Sequence, residues 1–287
     1  MKTDSHSLFE NLGDDLQAAA LELVGSIDRF WYASGTPIRE VGETEMTHIS
    51  FCVGTTFWLM LALGGVQTAA WTNQQNPRQA FSILQLIYSS VSMGLSLLVS
   101  VWLFFRVRGG LFNPNVTTAL LLTGSIGPVR WALYCIAQMI GGIAASALLL
   151  GLLPGPLVVA PAPGPGVDSA QAVFIEAFLA TALVLAVLML AVTRQRTKPL
   201  APGLHYLLGN FGERYTGAAM NTARAFGPAV VTGFHKRHWV YWVGPFLGCL
   251  AATGLFHFLK HIRYWQLNPD QHSSDFEKSP SDPLEAW

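Results

Sequence analysis

Five long stretches of this chain are almost free of charge, and this constrains its fold more than any other feature. Ile49–Ala70, Ala80–Phe105, Trp131–Leu153 and Trp239–Leu259 contain no Asp, Glu, Lys or Arg, and Ala170–Val192 contains only Glu176. About 20 apolar residues, rising about 1.5 Å each, cross the roughly 30 Å of hydrocarbon in a bilayer. Each stretch is long enough to span. Buried helices of soluble proteins are sometimes apolar all round, but five in 287 residues is a membrane pattern. A sixth candidate, Leu200–Phe211, is shorter. Pro199 precedes it, Pro202 lies near its start, and it carries His205 and Asn210, so hydropathy alone rates it weakly.

Composition agrees. Only 12% of the residues are charged, against about 25% in soluble domains, which argues against an ordinary soluble enzyme. Seventeen basic residues balance seventeen acidic ones, so no basic surplus exists to neutralise phosphates and nucleic acid is not an expected partner. Cys52, Cys135 and Cys249 all lie in apolar stretches. They read as buried, inert thiols rather than a disulfide framework or a metal site, and no cofactor is expected. Residues 1–45 hold nine acids and three bases without a long apolar run, and read as a cytosolic tail with a short helix over Asp14–Ile27. They lack the pattern of a signal peptide. Gln266–Trp287 is polar and reads as a disordered tail.

Two weaker segments are more informative. Gly109-Gly110-Leu111-Phe112-Asn113-Pro114-Asn115-Val116 follows the second span, and Gly217-Ala218-Ala219-Met220-Asn221-Thr222-Ala223-Arg224 precedes the last. Each is a glycine-led loop running into Asn and then a short apolar stretch. Asn is a good N-cap, and Pro114 suits the first helical position, where its missing N–H costs nothing. Each segment predicts a half-helix of about ten residues, roughly 15 Å long and too short to span. Both sit at matching places in an internal repeat. Asn113 and Asn221 are each followed eighteen residues later by a Trp, Trp131 and Trp239, that opens a span. Three spans per copy invert the second copy, and inverted repeats with broken helices are found in channels and transporters.

On these residues the chain resembles the aquaporin (major intrinsic protein) family over about residues 48–262. The family's paired Asn-Pro-Ala boxes stand here as Asn113-Pro114-Asn115 and Asn221-Thr222-Ala223, 108 residues apart. Arg224, the run Ala225-Phe226-Gly227-Pro228 and the run His238–Pro245 carry the rest of the likeness. The resemblance implies an all-α membrane protein with six transmembrane helices and two re-entrant half-helices, one pore per protomer and a homotetramer in the lipid bilayer. It places both boxes at the pore midplane. It also implies an outer selectivity ring of Met93, Gly209, Ala218 and Arg224, found by counting back from the two Asn residues. Finally, it gives Glu176 the role of a brace that accepts backbone N–H groups of the second pore loop. The corresponding place in the first span holds Phe51, so the first loop would lack that brace.

Residue chemistry supports such a pore. Two half-helices meeting at the midplane present about half a positive charge each and unsatisfied N–H groups, which repel cations and oppose proton relay. The Asn113 and Asn221 amides would cap their own helices and offer donors to the permeant. A charge inside a membrane is costly, about 3 kcal/mol on insertion scales, so Arg224 reads as functional. A Met and two tiny side chains beside Arg224 predict a permissive ring, while Ala225, Ala229 and Tyr241-Trp242 look like the water-channel pattern. A helix-contact role for Gly209, with Asn210 as the ring residue, is the structural alternative.

With both termini cytosolic, twelve Lys and Arg residues fall inside and Arg78, Arg214, Lys236 and Arg237 fall outside, as the positive-inside rule requires. The expected organisation is a tail over 1–45, a channel domain over 46–263 with repeats 46–153 and 170–263, and a tail over 264–287. The expected function is passive flow of water and small neutral solutes such as glycerol, urea or hydrogen peroxide through a multi-pass protein of the plasma membrane that is not an enzyme. A strict water channel and a non-conducting protein of the same fold are the alternatives. A coupled transporter would need an ion-binding acid, and Glu176 is the one carboxylate in the long stretches. Gly141-xxx-Ala145 and Gly244-xxx-Gly248 permit close helix contact, and Pro154–Gly166 reads as an irregular external loop.

Overall fold

A computed structural model describes residues 38–74, 83–108, 110–189 and 200–264. The expected helix over Asp14–Ile27 and the C-terminal tail lie outside them. The chain divides into two units, residues 1–47 and 48–287. Residues 38–47, the described part of the first, are helical. The second unit carries the membrane architecture.

Eight helices are described, in the order α1 (Ile38–Gln74), α2 (Ile83–Arg108), α3 (Pro114–Leu122), α4 (Pro128–Leu152), α5 (Ser169–Val187), α6 (Leu200–Thr216), α7 (Thr222–Thr232) and α8 (Val240–His261). Segments of α1, α2, α4, α5 and α8 are long and apolar enough to cross a membrane. The sixth long helix, α6, extends past its apolar run, because residues Gly212 to Thr216 continue the helix. Pro202 falls in its first turn, where a missing N–H is tolerated. The two short helices, α3 with 9 residues and α7 with 11, are the expected half-helices.

The inverted repeat has a physical signature. Thr56 on α1 donates to the Gly141 carbonyl of α4 at 3.2 Å, and Thr181 on α5 donates to the Gly248 carbonyl of α8 at 3.3 Å. Both hydroxyls also bond the carbonyl four residues back, each at 2.7 Å. This arrangement satisfies the hydroxyl within hydrocarbon and needs a close helix pair. Glycine supplies the room: a Cβ on Gly141 would meet the Cys52 carbonyl at 2.7 Å, and one on Gly248 would meet the Ala177 carbonyl. The copies join through α2 and α6, while α3 packs on α4 and α8, and α7 does the same. Each half-helix is therefore clamped by the closing span of both repeats. Large apolar side chains such as Leu84, Trp102, Phe174 and Phe178 stay exposed, as a lipid-facing surface requires.

The loop after α4 is irregular, as expected, but part of it is buried. Leu157 and Val159 are buried in the cluster that contains Trp58, Leu63 and Met93. Gln67 clasps the loop, donating to the Pro156 carbonyl at 2.9 Å and accepting from the Val158 N–H at 2.8 Å. Arg237 ties its far end, donating to the Val167 and Pro163 carbonyls.

Candidate functional site

Both pore loops end on an asparagine that does two things at once. The Asn113 side-chain oxygen accepts the Asn115 N–H at 2.9 Å, and the Asn221 oxygen accepts the Ala223 and Arg224 N–H groups at 2.9 and 3.2 Å. These are N-cap bonds, which satisfy otherwise orphaned donors at the start of α3 and α7. The amide nitrogens reach the other way. Asn113 Nδ2 donates to the Met220 carbonyl and Asn221 Nδ2 to the Phe112 carbonyl, both at 2.9 Å. Each asparagine thus bonds the residue just before its counterpart. This exchange draws two helix N-termini together, with both asparagines at most 6% exposed. One amide N–H of each asparagine is used in this exchange, a use beyond the caps and permeant donors expected from the sequence.

The two positions that depart from the family boxes also meet. Asn115 Nδ2 donates to Thr222 Oγ1 at 3.1 Å, and Thr222 Oγ1 donates to the Tyr241 carbonyl at 3.2 Å. The Asn and Thr side chains make a polar tie between α3, α7 and α8. Ala223 is fully buried, and its carbonyl lies against Gly142, where a Cβ would meet it at 2.6 Å. Pro114 holds the first helical position of α3, as expected.

Glu176 lies where a brace is needed. It is completely buried. Its Oε1 accepts the Thr216 hydroxyl at 2.6 Å and the Ala219 N–H at 2.9 Å, and its Oε2 accepts the Met220 N–H at 2.8 Å. Gly244 makes room for it, since a Cβ there would meet Glu176 Cβ at 2.8 Å. The second loop needs this support because Ala218 and Met220 have φ of 42° and 51°, a region that costs non-glycine residues about 1–3 kcal/mol each. Tyr241 adds a bond to the Thr216 carbonyl at 2.7 Å.

The first loop is held differently. Gln138 on α4, fully buried, donates to the Leu111 carbonyl at 3.3 Å and to Thr117 Oγ1 at 3.0 Å. Thr117 in turn donates to the Asn113 carbonyl at 3.0 Å. Sequence reasoning missed Gln138; its signal was an uncharged polar residue within an apolar span. Thr56 and Thr181 occupy equivalent places, and Phe51 and Glu176 each stand five residues before them. Phe51 therefore holds the position of Glu176 in the first copy.

Arg224, 4% exposed, has no hydrogen-bond partner for Nε or Nη1. The Glu213 and Glu176 carboxylates lie within electrostatic reach of it. Hydropathy ends the sixth span at Phe211 and so passes over Glu213, which accepts the Ser90 hydroxyl at 3.1 Å. The other ring candidates are placed as follows. Met93 is buried in the cluster with Trp58 and Phe112. Ala218 is buried with Leu179, Leu183 and Leu208. A Cβ on Gly209 would meet Ser90 Oγ on α2 at 3.0 Å. Outside the spans, His238 packs edge-on against Phe234, with ring centres 4.9 Å apart. Burial pulls its imidazole below the usual histidine range, and the neighbouring His235 adds to the effect.

Residues 42–257 match the family described as Major intrinsic protein. The chain is 48% identical over 285 residues to Aquaporin-1 of Laccaria bicolor, covering 97% of this chain and 82% of that one. It is 45% identical over 237 residues to Aquaporin-2 of Botryotinia fuckeliana, covering 80% of this chain and 63% of that one. Among solved structures, the aquaglyceroporin from Plasmodium falciparum has the same fold, with a TM-score of 0.63 at 17% identity over 75% of this chain and 95% of that one.

Proposed function

Because the chain belongs to the major intrinsic protein family, and is therefore a multi-pass membrane channel and not an enzyme, we propose that it conducts water and small neutral solutes while excluding ions and protons. One observation carries this reading: the reciprocal bonds of Asn113 and Asn221, which hold two helix N-termini face to face beside a buried Arg224. Two converging N-terminal dipoles and a guanidinium make the centre hostile to cations. They also supply donors that a neutral, hydrogen-bonding solute can use.

Met93, Gly209, Ala218 and Arg224 form the outer ring in this proposal, and Asn113, Pro114, Asn115, Asn221, Thr222 and Ala223 the midplane. No bulky polar side chain stands at position 209, which favours passage of glycerol, urea or hydrogen peroxide besides water. The proposal extends to a homotetramer in the plasma membrane, with both termini cytosolic and a channel domain over residues 46–263. The water-channel pattern of Ala225, Ala229 and Tyr241-Trp242 favours a strict water channel as the second reading.

Stopped-flow swelling of reconstituted vesicles separates the two readings. Water, glycerol, urea and hydrogen peroxide fluxes should all exceed those of empty vesicles, with no dependence on a proton gradient. Water flux alone would favour the strict channel, and no flux at all would favour a non-conducting protein. Arg224→Val should keep the protein folded but admit a partial ion or proton leak, partial because the half-helix dipoles remain. An unaltered ion barrier would remove Arg224 from the ring.

A further inference from the structure

Three neighbouring buried side chains carry polar atoms without a protein hydrogen-bond partner. They are Trp58 on α1, whose Nε1 is unbonded, His205 on α6, with both ring nitrogens unbonded, and Arg224. Trp58 and His205 are each 2% exposed. A buried polar group left unpaired is costly, so groups clustered this way are ordinarily satisfied by something other than protein. The three are connected. The His205 and Trp58 rings meet nearly at right angles, at 83°, with centres 6.1 Å apart. Trp58 stacks on Phe112 with centres 6.0 Å apart, and the Phe112 carbonyl is the one that receives the Asn221 amide. Arg224 lies within electrostatic reach of His205. His205 is one helical turn before Gly209.

Their hydrogen-bonding capacities differ. Guanidinium and indole groups only donate, whereas a neutral imidazole offers one donor and one acceptor. A hydroxyl-bearing permeant must donate as well as accept. Arg224 and Trp58 can satisfy its oxygen but leave its proton unpaired; His205 supplies the acceptor. The Trp58 ring adds an apolar face for the carbon side of a small polyol.

We infer that Trp58 and His205 form a second specificity station in the lumen, one turn inside the outer ring, where His205 accepts a hydrogen bond from each passing water or hydroxyl solute. The inference rests on the proposed conduction, so its test has an arm that needs no flux. In His205→Cys, alkylation of the new thiol by iodoacetamide is compared, in the same molecule, with that of Cys249, which is fully buried. A lumen-facing thiol should react at least about tenfold faster, since reaction needs a hydrated thiolate. Equal rates would overturn the placement.

In the flux arm, His205→Leu should lower water and glycerol permeability per channel at least about fivefold, and His205→Gln, which keeps an acceptor, should stay within about twofold of the parent. Trp58→Phe, which keeps a ring but loses the N–H, should reduce glycerol flux more than water flux. Parental flux in His205→Leu, or equal losses in the Leu and Gln variants with the protein folded, would overturn the acceptor role. If the parent conducts nothing, the proposed function fails while the alkylation result still places His205. If His205→Leu does not fold, the alkylation rates and the Gln variant decide the matter.

Discussion

The two pore loops are related by the repeat yet held by opposite chemistry. The loop before α7 is braced by a carboxylate that accepts two backbone N–H groups, and the loop before α3 by an amide that donates to a carbonyl. The backbone explains the difference. Ala218 and Met220 have positive φ, and Glu176 accepts the N–H groups of Ala219 and Met220. In the first loop Gly110, at φ 66°, is the one described residue with positive φ, and glycine takes that conformation at little cost. A brace thus follows the groups a loop turns inward, not the symmetry of the repeat. Phe51 in place of an acid is then no defect, because the first loop turns a carbonyl inward to a donor.

The largest expected effect comes from breaking the acidic brace. Glu176→Ala leaves the Ala219 and Met220 N–H groups unpaired beneath two strained residues, while the Thr216 hydroxyl falls back on the Gly212 carbonyl at 3.4 Å. At about 1–3 kcal/mol for each of the two orphaned groups, the loss is roughly 2–6 kcal/mol. Folded protein recovered from membranes, and its flux, should fall together. Glu176→Gln retains one acceptor oxygen and should be clearly milder. Normal yield and flux from the Ala variant would dispose of the brace.

Exchanging the chemistry of the other brace sharpens the contrast. Gln138→Ala removes a donor from the Leu111 carbonyl and a partner from Thr117, at about 1–2 kcal/mol. Gln138→Glu should be worse than Gln138→Ala, since an ionised carboxylate would face a carbonyl that needs a donor. Thermal unfolding in detergent reads the order directly. If Glu at 138 proves as stable as Gln, the loops do not differ in the polarity they require.

A smaller effect attaches to the tie between the altered boxes. Asn115→Ala and Thr222→Pro should each cost about 0.5–1.5 kcal/mol, and the double variant less than their sum, because the two share one hydrogen bond. Pro at 222 also fits the first helical position without losing a needed N–H. The double variant should conduct water at least as well as the parent and still exclude cations. Strict additivity would show that the bond carries no coupling. Loss of conduction in folded double variant would show that one of these side chains serves the pore itself.

The smallest effect lies outside the membrane. His238 is favoured in its neutral form, so the stability it contributes is present above the unfolded histidine range, about pH 6.5, and is lost as pH falls through its lowered native value. Unfolding temperature should drop on acidification by no more than about 2 °C on this account, and His238→Gln should flatten that part of the profile. An identical profile in the variant would assign the pH dependence elsewhere.

Sequence alone determined the features that depend on neighbouring residues. Length and lack of charge mark the spans, because a bilayer demands both from every crossing segment. Asn113-Pro114 and Asn221 mark the starts of α3 and α7, because a cap acts within one turn. The equal spacing to Trp131 and Trp239 reveals the repeat. The extent of α6 was not legible, since its last turn carries Glu213 and Arg214 and hydropathy ends with the apolar run. Nor was the inward course of Leu157 and Val159, which depends on Gln67 far away in the chain. Only the tertiary structure decided what surrounds each buried polar side chain. Gln138, Asn115 and Thr222 find their partners on other elements, His205 and Trp58 meet across two helices, and no local pattern encodes which atoms come together. Hydrocarbon makes those meetings matter, because a polar group there has no water to fall back on.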